Sequence, residues 1–448
     1  MATRRRWVLR VLLGLLGLIV VAVVGAYWYA RPLLLTGTGY AAHNACALDE
    51  LAGRTNPATD LPPNPLVPYL RTSMDEDGTA TTSIFGLLAR QSASPVAGYG
   101  CTLGEPAELP ERPAADVTRN PISDQTGEPD PVVQEAISRA FGDDLGADEG
   151  DALGTRAIVV VRAGTIVGER YADGFDEHTR QLGWSMSKSV ANFITGRLVQ
   201  EGTVSLDDAG LRAEWTDERV DITIEDLLRM RPGLDWDETY DLGTPITEML
   251  YLSGDMAGFA ADRPLSDPIG QHQQYSSGST NILCSVLLEK AGGGVELTDS
   301  LLFGPMGLSS AVWETDETGT PVCSSYLWAT PRDWAALGQL ALDDGVWNGE
   351  RLLPEGWMAE STTPESAPKS DADAYGMSWW LNTRVDGTLR FPELPADAYW
   401  MSGHDGQRVY VVPSADLVVV RMGFSPGIEV GDLRSNELVA ALVESADG

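Results

Sequence analysis

The chain has 448 residues and a formal net charge of −34 at pH 7, from 65 acidic and 31 basic side chains. This length accommodates a membrane segment together with one large domain or two smaller ones. A surface this acidic repels phosphate groups, so the composition argues against nucleic acid, and against an anionic lipid surface, as the main partner. The simplest consequence of the charge is solubility.

An apolar segment lies close to the N-terminus. Four arginines fall within residues 1–10, and residues 11–30 follow as an apolar run that includes Tyr27-Trp28-Tyr29. Twenty apolar residues cross a bilayer as a helix of roughly 30 Å. Aromatic residues favour the interface and arginines the cytoplasm. We predict a cytoplasmic tail at 1–10 and a single-pass inner-membrane anchor at 11–30, with the remainder extracytoplasmic or periplasmic. A signal peptide cleaved after Val24-Gly25-Ala26 is the alternative.

The cysteines are interpreted in that compartment, which permits disulfides. Cys46 and Cys101 both follow the apolar segment, so a bridge between them is the simplest pairing. Cys284 and Cys323 either form a second bridge or remain buried thiols. The chain has no C-x-x-C, and its four histidines lack metal-ligand spacing, so we predict neither a metal nor another cofactor.

The remaining chain divides into two parts. Residues 31 to about 102 are rich in Pro, Gly and Thr without a long amphipathic helix, and residues 103–129 are acidic and Pro-rich. We predict that residues 31–129 comprise a small disulfide-pinned module, or a collar on the main domain, followed by a linker. Asp130-Pro131 then suits the start of a helix, with Asp as N-cap and Pro at the first position. One main domain is predicted over residues 130–448.

The main domain has strand patterns at both ends and helical patterns between them. Two β-branched runs joined at Ala163-Gly164 predict a hairpin, and two more strands are predicted within 407–423. An amphipathic helix is predicted from Ser189 to Gly202, and a last helix follows the final strands. Terminal segments that pair into one antiparallel sheet around helices give an α+β fold.

One pair of residues carries the most specific chemistry. Ser185 and Lys188 are spaced i, i+3, so their Cβ atoms lie about 5–6 Å apart on one helix face. A serine hydroxyl becomes nucleophilic when a neighbour accepts its proton, and a lysine can do so when burial lowers its pKa. The pattern alone is weak, because Ser366 and Lys369 match it as well. Pro368 and polar neighbours argue that this second match is accidental.

Two further motifs follow in the sequence. Tyr275-Ser276-Ser277 precedes an apolar helix, and His404-Asp405-Gly406 precedes a strand. In chain order, the three motifs resemble those of the serine β-lactamase and penicillin-binding-protein superfamily. The resemblance is greatest to the class C-like branch, which includes carboxylesterases and 6-aminohexanoate-dimer (nylon oligomer) hydrolases. It covers residues 130 to about 445, including the segments GWSMSKSV, LLRMRPGLDWDE and GHDGQRVYVVPSADLVVVRMG.

This resemblance implies a β-lactamase-like α+β fold, with an antiparallel sheet flanked by helices and a helical subdomain. It implies that Ser185 is the acylated nucleophile and that Lys188 and Tyr275 form its base. His404 would stand where β-lactamases have the lysine of Lys-Thr-Gly. The oxyanion hole would consist of the backbone N–H groups of Ser185 and Gln407. The residues expected to line the substrate cleft are Trp184, Ser277, Gly406, Trp379 and Trp380, with Trp236 and Trp400 as further candidates.

Three departures from the superfamily pattern bear on the substrate. Ser277 occupies the third position of the usual Tyr-x-Asn, His404-Asp405-Gly406 replaces Lys-Thr-Gly, and Pro232 replaces a small serine. The second change removes the cation that pairs with a β-lactam or peptide carboxylate. We therefore expect a serine hydrolase that acts on a small, neutral ester or amide, with inefficient penicillin hydrolysis. Its oligomeric state is open.

Other functions compete with this one. An α/β-hydrolase would need G-x-S-x-G, which the segment GWSMS does not supply. A Ser-His-Asp triad through His404 is disfavoured, because Asp405 would project to the opposite side of a strand. The main alternative is a non-hydrolytic sensor or binding protein of the cell envelope that uses the same fold.

Overall fold

The computed structural model describes residues 2–114, 119–123, 126–127, 130–428 and 430–446. Its first element is one long helix, α1 (Ala2–Ala52), which contains the apolar segment and continues past Pro32. Within the described residues, α1 alone is long and apolar enough to span a membrane, and its apolar window is fully exposed. It fits a single-pass anchor or a signal sequence.

The second half of α1 is buried against the rest of the protein, so the prediction of no long helix in residues 31–102 is wrong. Small side chains explain the difference. A Cβ on Gly39 would lie 2.6 Å from the Gln91 amide and 3.0 Å from the Tyr251 carbonyl oxygen. Burial of a tightly packed helix therefore overrides the low helix propensity of its glycines and of Pro32.

A four-stranded antiparallel sheet packs against this half of α1. Its strands, in chain order, are β1 (Leu70–Met74), β2 (Ala80–Ile84), β3 (Leu88–Val96) and β4 (Gly100–Leu103). The predicted Cys46–Cys101 disulfide is confirmed, and it ties α1 to β4. We call residues 31–103 the N-terminal module.

The main sheet has six antiparallel strands in the order β14-β15-β16-β17-β5-β6. They are β5 (Thr155–Arg162), β6 (Thr165–Tyr171), β14 (Trp380–Leu381), β15 (Tyr399–Gly403), β16 (Gln407–Val412) and β17 (Leu417–Gly423). The predicted hairpin is β5–β6, and the predicted late strands are β16 and β17. Register pairs β17 with β5, so the two ends of the domain meet in one sheet.

Alternating side chains of this sheet bury two layers of helices. Ile158 and Val160 face a cluster formed with α2 (Pro131–Ala140) and α13 (Ser435–Ala446). The opposite face, including Val159 and Val161, lies in the larger core with α11 (Pro331–Leu342). Asp130 caps α2 as predicted, with its carboxylate accepting the Val132 N–H at 2.8 Å.

The helical region lies between the two halves of the sheet. Its central helices, α4 (Met186–Gln200) and α8 (Ser277–Ala291), are buried on most of their faces, so α4 is less amphipathic than predicted. The other helices are α3 (Ala147–Ala152), α5 (Ile224–Leu228), α6 (Pro245–Leu252), α7 (Met256–Ala261), α9 (Glu296–Thr298), α10 (Gly304–Met306) and α12 (Trp357–Ser361). The short strands are β7 (Gln181–Leu182), β8 (His272–Gln273), β9 (Val312–Trp313), β10 (Leu327–Ala329), β11 (Val346–Trp347), β12 (Glu350–Arg351) and β13 (Lys369–Ser370).

Buried charges join the N-terminal module to the main domain. The Asp60 carboxylate accepts two hydrogen bonds of 2.7 Å from Arg156 of β5, and two more from Arg54. At a second point, the buried Glu314 carboxylate accepts the Cys101 N–H at 2.8 Å and the Trp328 indole N–H at 2.7 Å. The module is therefore an integral part of the folded protein.

Asp60→Asn tests this junction. Burial by itself would raise the pKa of the Asp60 carboxyl, but hydrogen bonds from Arg156 and Arg54 lower it to about 2. Removing one partner from such an ionic cluster costs about 3 kcal/mol, so we expect that decrease in the free energy of unfolding near neutral pH. Because the folded-state pKa is depressed, the difference from wild type should shrink as the pH falls from about 4 towards 2.

The measurement is thermal and denaturant unfolding of the full chain in detergent. Asp75→Asn, in an exposed turn of the same module, is the matched control and should change stability by less than about 0.5 kcal/mol. An Asp60→Asn protein as stable as this control would contradict the junction.

Candidate active site

The Ser185 hydroxyl lies at a tight turn between β7 and α4. Trp184, just before it, has φ +49°, a left-handed conformation that is costly for a bulky residue and typical of functional sites. The preceding Gly183 admits no side chain, because a Cβ there would lie 2.2 Å from the Trp334 ring. Close packing therefore maintains the turn that presents Ser185.

Lys188 lies one helical turn further and is buried. Its amine donates hydrogen bonds to the Ser185 hydroxyl at 2.9 Å, the Ser277 hydroxyl at 2.9 Å and the Ser324 carbonyl oxygen at 3.0 Å. Burial lowers the pKa of Lys188 to about 8, although the Glu238 carboxylate, 4.0 Å away, opposes this shift. The lysine is therefore close to half neutral at slightly alkaline pH.

Glu238 is a residue that sequence reasoning missed. Its carboxylate accepts the Ser277 hydroxyl at 2.5 Å, the Ser277 N–H at 2.8 Å and the Trp236 indole N–H at 2.6 Å. It lies in an irregular segment, where no periodic pattern indicates which side chains turn inwards. The signal available was the segment LLRMRPGLDWDE, which carries the resemblance and ends in Glu238.

Tyr275 completes the contacts of the serine. The Lys188 amine lies 4.9 Å from the centre of its ring, and the Ser185 side chain is close enough to the phenol to oppose the rise in its pKa. Burial, reinforced by the Glu238 carboxylate, raises the pKa of Tyr275 above its usual value. The phenol is therefore neutral, so it suits a proton relay better than a phenolate base.

A second disulfide supports this arrangement. Cys284 and Cys323 are bridged, which resolves the alternative that the sequence left open. Cys284 lies in α8, the helix that starts at Ser277, and Cys323 immediately precedes Ser324. The bridge thus links the two segments that supply acceptors to Lys188.

His404 lies on another side of the site. Its ring stacks on Tyr240 with centroids 4.5 Å apart and meets the edge of Trp184 at 5.7 Å. The expectation that Asp405 projects away from it is wrong. Asp405 lies in a turn with φ +55°, which brings its carboxylate to 3.4 Å from His404 Nε2. The Ser185 hydroxyl nevertheless bonds to Lys188 at 2.9 Å, with the Tyr275 ring beside that amine, so the predicted Ser, Lys and Tyr side chains lie together.

Gly406 and Gln407, which follow His404, are both fixed by close contacts with the neighbouring strand β17. Gly406 has φ +93°, and a Cβ there would lie 2.4 Å from the Arg421 guanidinium, so this position requires glycine; its place in the cleft stays a prediction. The side-chain amide of Gln407 is bonded to the backbone of Gly423. Strand β15 ends against the turn that carries Ser185. The two backbones are so close there that a Cβ on Gly403 would lie 2.1 Å from the Gly183 carbonyl oxygen.

The predicted cleft tryptophans divide between site and core. Trp379 is completely buried, packs against Phe193 and Tyr399, and does not line the cleft, so that prediction is wrong. Trp380 is half-buried beside the Tyr275 ring, with centroids 5.3 Å apart. Trp184 contacts aromatic rings on several sides of the site. Ser277 belongs to the Lys188 network itself.

A cavity of about 410 Å³ lies next to His404, whereas Ser185, Lys188 and Tyr275 are not among its lining residues. Thr36, Gly37 and Tyr40 of α1 form one wall with residues 62–65, and Tyr240, Tyr251 and His404 form the other. Tyr40 stacks on Trp184 with centroids 6.1 Å apart, so the N-terminal module reaches the residue beside Ser185. Sequence reasoning did not connect this module with the site.

The competing Ser366/Lys369 pair is not part of any such arrangement. Both side chains are exposed, and Lys369 lies in strand β13 rather than in a helix. Among the described residues, no group of three His, Cys, Asp or Glu side chains is arranged to hold a metal ion.

Comparison with known proteins agrees with this geometry. The chain is 25% identical over 302 residues to a 6-aminohexanoate-dimer hydrolase from Paenarthrobacter ureafaciens, covering 61% of this chain and 73% of that protein. A candidate 6-aminohexanoate-dimer hydrolase from Bacillus anthracis superposes with a TM-score of 0.59 at 23% identity, over 75% of this chain and 90% of that one.

A family VIII carboxylesterase superposes with a TM-score of 0.52 at 16% identity, over 71% of this chain and 99% of that one. At such identities these structures establish the fold, which is the predicted β-lactamase-like α+β fold. The family model named Beta-lactamase matches residues 146–442, well over half of the chain. The chain therefore belongs to the Beta-lactamase family and is a serine hydrolase related to esterases and amidases.

Proposed function

We propose that the chain is a membrane-anchored, extracytoplasmic hydrolase that cleaves an ester or amide bond through an acyl-enzyme on Ser185, with Lys188 and Tyr275 as the base. The observation that carries the proposal is the 2.9 Å contact between the Ser185 hydroxyl and a buried amine whose pKa is lowered to about 8. Such an amine is partly neutral near physiological pH and can accept a proton. The catalytic domain spans residues 130–448.

The hydrogen-bond partners of Lys188 support proton transfer from Ser185 to this amine. A carboxylate can only accept, so the Ser277 hydroxyl donates to Glu238 and must accept from Lys188. The Ser324 carbonyl oxygen also accepts. A neutral amine has two N–H groups, and both are now assigned, so its lone pair points to the Ser185 hydroxyl. Lys188 is thereby aligned to receive the serine proton.

Acylation then follows from this alignment. The Ser185 oxygen bonds to the substrate carbonyl carbon while its proton moves to the Lys188 amine, giving an ammonium and a tetrahedral oxyanion. The oxyanion is stabilised by the backbone N–H groups of Ser185 and Gln407. Tyr275 relays a proton from the ammonium to the departing alcohol or amine as the carbon–leaving-group bond breaks. This returns Lys188 to its neutral form.

Deacylation repeats the sequence with water as the nucleophile. Water loses its proton through Tyr275 to Lys188 and attacks the ester carbon, and Ser185 recovers a proton as it leaves. The products are a carboxylic acid and the free enzyme, so the cycle needs no metal or other cofactor. This is a two-step acyl transfer with release of the first product before water reacts.

The cavity supports a small, neutral substrate. Its walls combine tyrosine rings, prolines and half-exposed His404, and Asp241 is the acidic residue among them. Such a lining attracts apolar, uncharged groups more than a carboxylate. The relative from Paenarthrobacter ureafaciens is named for a linear amide, which is compatible with this class.

The location of the protein is part of the proposal. The apolar segment of α1 is exposed and followed without a break by a half that is buried in the folded protein. The two disulfides suit an oxidising compartment. Together with the N-terminal arginines, these features favour a retained anchor with the catalytic domain outside the cytoplasm.

A fluorophosphonate probe tests the nucleophile. We expect stoichiometric labelling of the full chain in detergent and complete loss of labelling in Ser185→Ala, because Lys188 is aligned to take the Ser185 proton while the Ser277 hydroxyl donates to Glu238. Ser366→Ala, at the exposed decoy, should label as wild type does. Equal labelling of wild type and Ser185→Ala would overturn the assignment.

The pH dependence tests the base. Because Lys188 must be neutral to accept a proton and its pKa is about 8, kcat/KM should rise with pH through about 8 and then level off. Glu238 raises that pKa, so Glu238→Gln should move the rising limb to lower pH. The measurement is the kcat/KM profile for a p-nitrophenyl ester, corrected for spontaneous hydrolysis. Glu355→Gln, at an exposed position, is the control; a limb that stays in place in Glu238→Gln would contradict the role of Lys188.

A substrate panel tests the substrate class and the alternative function together. Neutral p-nitrophenyl esters and uncharged amides should be turned over at a higher kcat/KM than nitrocefin. Nitrocefin has a carboxylate, and this protein has no lysine at the Lys-Thr-Gly position to pair with it. Mass spectrometry after incubation with penicillin should detect no long-lived adduct. A stable penicilloyl adduct on Ser185, without turnover of any ester or amide, would instead support an envelope sensor.

A further inference from the structure

An apolar tip protrudes from the N-terminal module. We define the tip as Phe85, Gly86 and Leu87, which connect β2 to β3, together with Leu88, the first residue of β3. Leu87 is 85% exposed and Phe85 61% exposed, and Phe85 packs against the half-exposed Tyr69 with ring centroids 5.1 Å apart. Adjacent exposed apolar side chains of this size, on a chain so rich in acidic residues, indicate a surface with a partner.

The tip lies beside the apolar part of α1. The Ala89 N–H, next to the tip, donates to the Tyr27 hydroxyl at 3.2 Å. Two residues further along β3, the Gln91 amide donates to the Leu35 carbonyl oxygen at 2.7 Å. Gln91 therefore contacts α1 near Leu35 and Ala89 contacts it near Tyr27, closer to the N-terminus of the helix. The tip lies further in the same direction, towards the apolar segment.

The charges of the module differ between the two ends of its sheet. Two exposed arginines lie close to the tip: Arg71 in β1, and Arg90 near the start of β3. The opposite end carries the exposed acidic turn Asp75-Glu76-Asp77. In a chain with net charge −34, this local reversal puts cations at the apolar end, where phosphate headgroups would meet them, and carboxylates away from it.

We propose that the tip inserts into the outer leaflet of the bilayer that α1 spans, as a second membrane contact beside the helix. The inference rests on the proposed anchoring of α1. Tyr27 belongs to the aromatic cluster expected at the interface, and its hydrogen bond to the tip's neighbour sets the tip at that depth. Phe85, Leu87 and Leu88 enter the acyl region, while Arg71 and Arg90 remain among the headgroups.

This contact has a consequence for the active site. Gly37, in the wall of the cavity, follows Tyr27 by ten residues, or about 15 Å along a helix. Two contacts with the bilayer, the helix and the tip, would orient the domain and keep the cavity close to the membrane surface. A substrate that partitions into the interface would then meet the cavity at a raised local concentration.

A single-cysteine label tests the tip. All four native cysteines are in disulfides, so Leu87→Cys gives one free thiol at an exposed position. The full chain, labelled there with the fluorophore NBD and reconstituted in liposomes of neutral and anionic phospholipid, is read by nitroxide-lipid quenching. We expect a blue-shifted emission and strong quenching by a nitroxide near the headgroup end of the acyl chain, as for insertion of about 5–10 Å.

Two further labelled variants separate the possible outcomes. Val132→Cys, at an exposed position of the main domain where the native side chain is 54% exposed, controls for dye-driven insertion and should stay solvent-like. Val21→Cys, in the apolar segment, reports the anchor and should be quenched by a nitroxide near the bilayer centre. Quenching at Val21→Cys with a solvent-like Leu87→Cys would overturn the tip contact and leave the anchor standing. Solvent-like signals at both positions would overturn the anchoring itself, and the tip proposal with it.

Discussion

The structure depends above all on one buried lysine amine. Lys188 is held by Ser185, Ser277 and the Ser324 carbonyl oxygen, with Glu238 as the nearest carboxylate at 4.0 Å. Burial favours the neutral amine and Glu238 favours the ammonium, so the balance between them sets a pKa of about 8. An arginine in this place would remain charged and could not act as a base. The segments around it supply acceptors in fixed positions.

The same constraint explains how distant parts of the chain converge. Ser185 lies at a strained turn before α4, and Ser277 is the first residue of α8. Ser324 lies in a loop that the Cys284–Cys323 bridge ties to α8. Tyr40 of α1 then closes the aromatic wall next to Trp184. The N-terminal module is consequently part of the walls of the cavity, and the helix that carries the apolar segment also shapes the space available to substrate.

The errors of sequence interpretation have physical causes. Trp379 and Trp380 are neighbours in sequence, but Trp379, just before β14, is buried in the core, whereas Trp380, the first residue of β14, lies beside Tyr275. Asp405 was expected on the far side of a strand, yet its positive φ places it in a turn beside His404. The helical course of residues 31–52 was missed because glycines and Pro32 disfavour an isolated helix, whereas close packing stabilises this one.

The sequence by itself determined the family, the α+β fold and the Ser-x-x-Lys pair, because each of these depends on residue types at short or recognisable spacings. It also indicated the Cys46–Cys101 bridge, because both cysteines follow the apolar segment. Only the tertiary structure decided that Glu238 lies next to the lysine, that the second pair of cysteines is bridged, and that α1 supplies a wall of the cavity. Those contacts join residues from separate elements, and Glu238 and Cys323 lie in irregular segments. No local periodicity encodes them, since they follow from how the packed elements bring separate surfaces together.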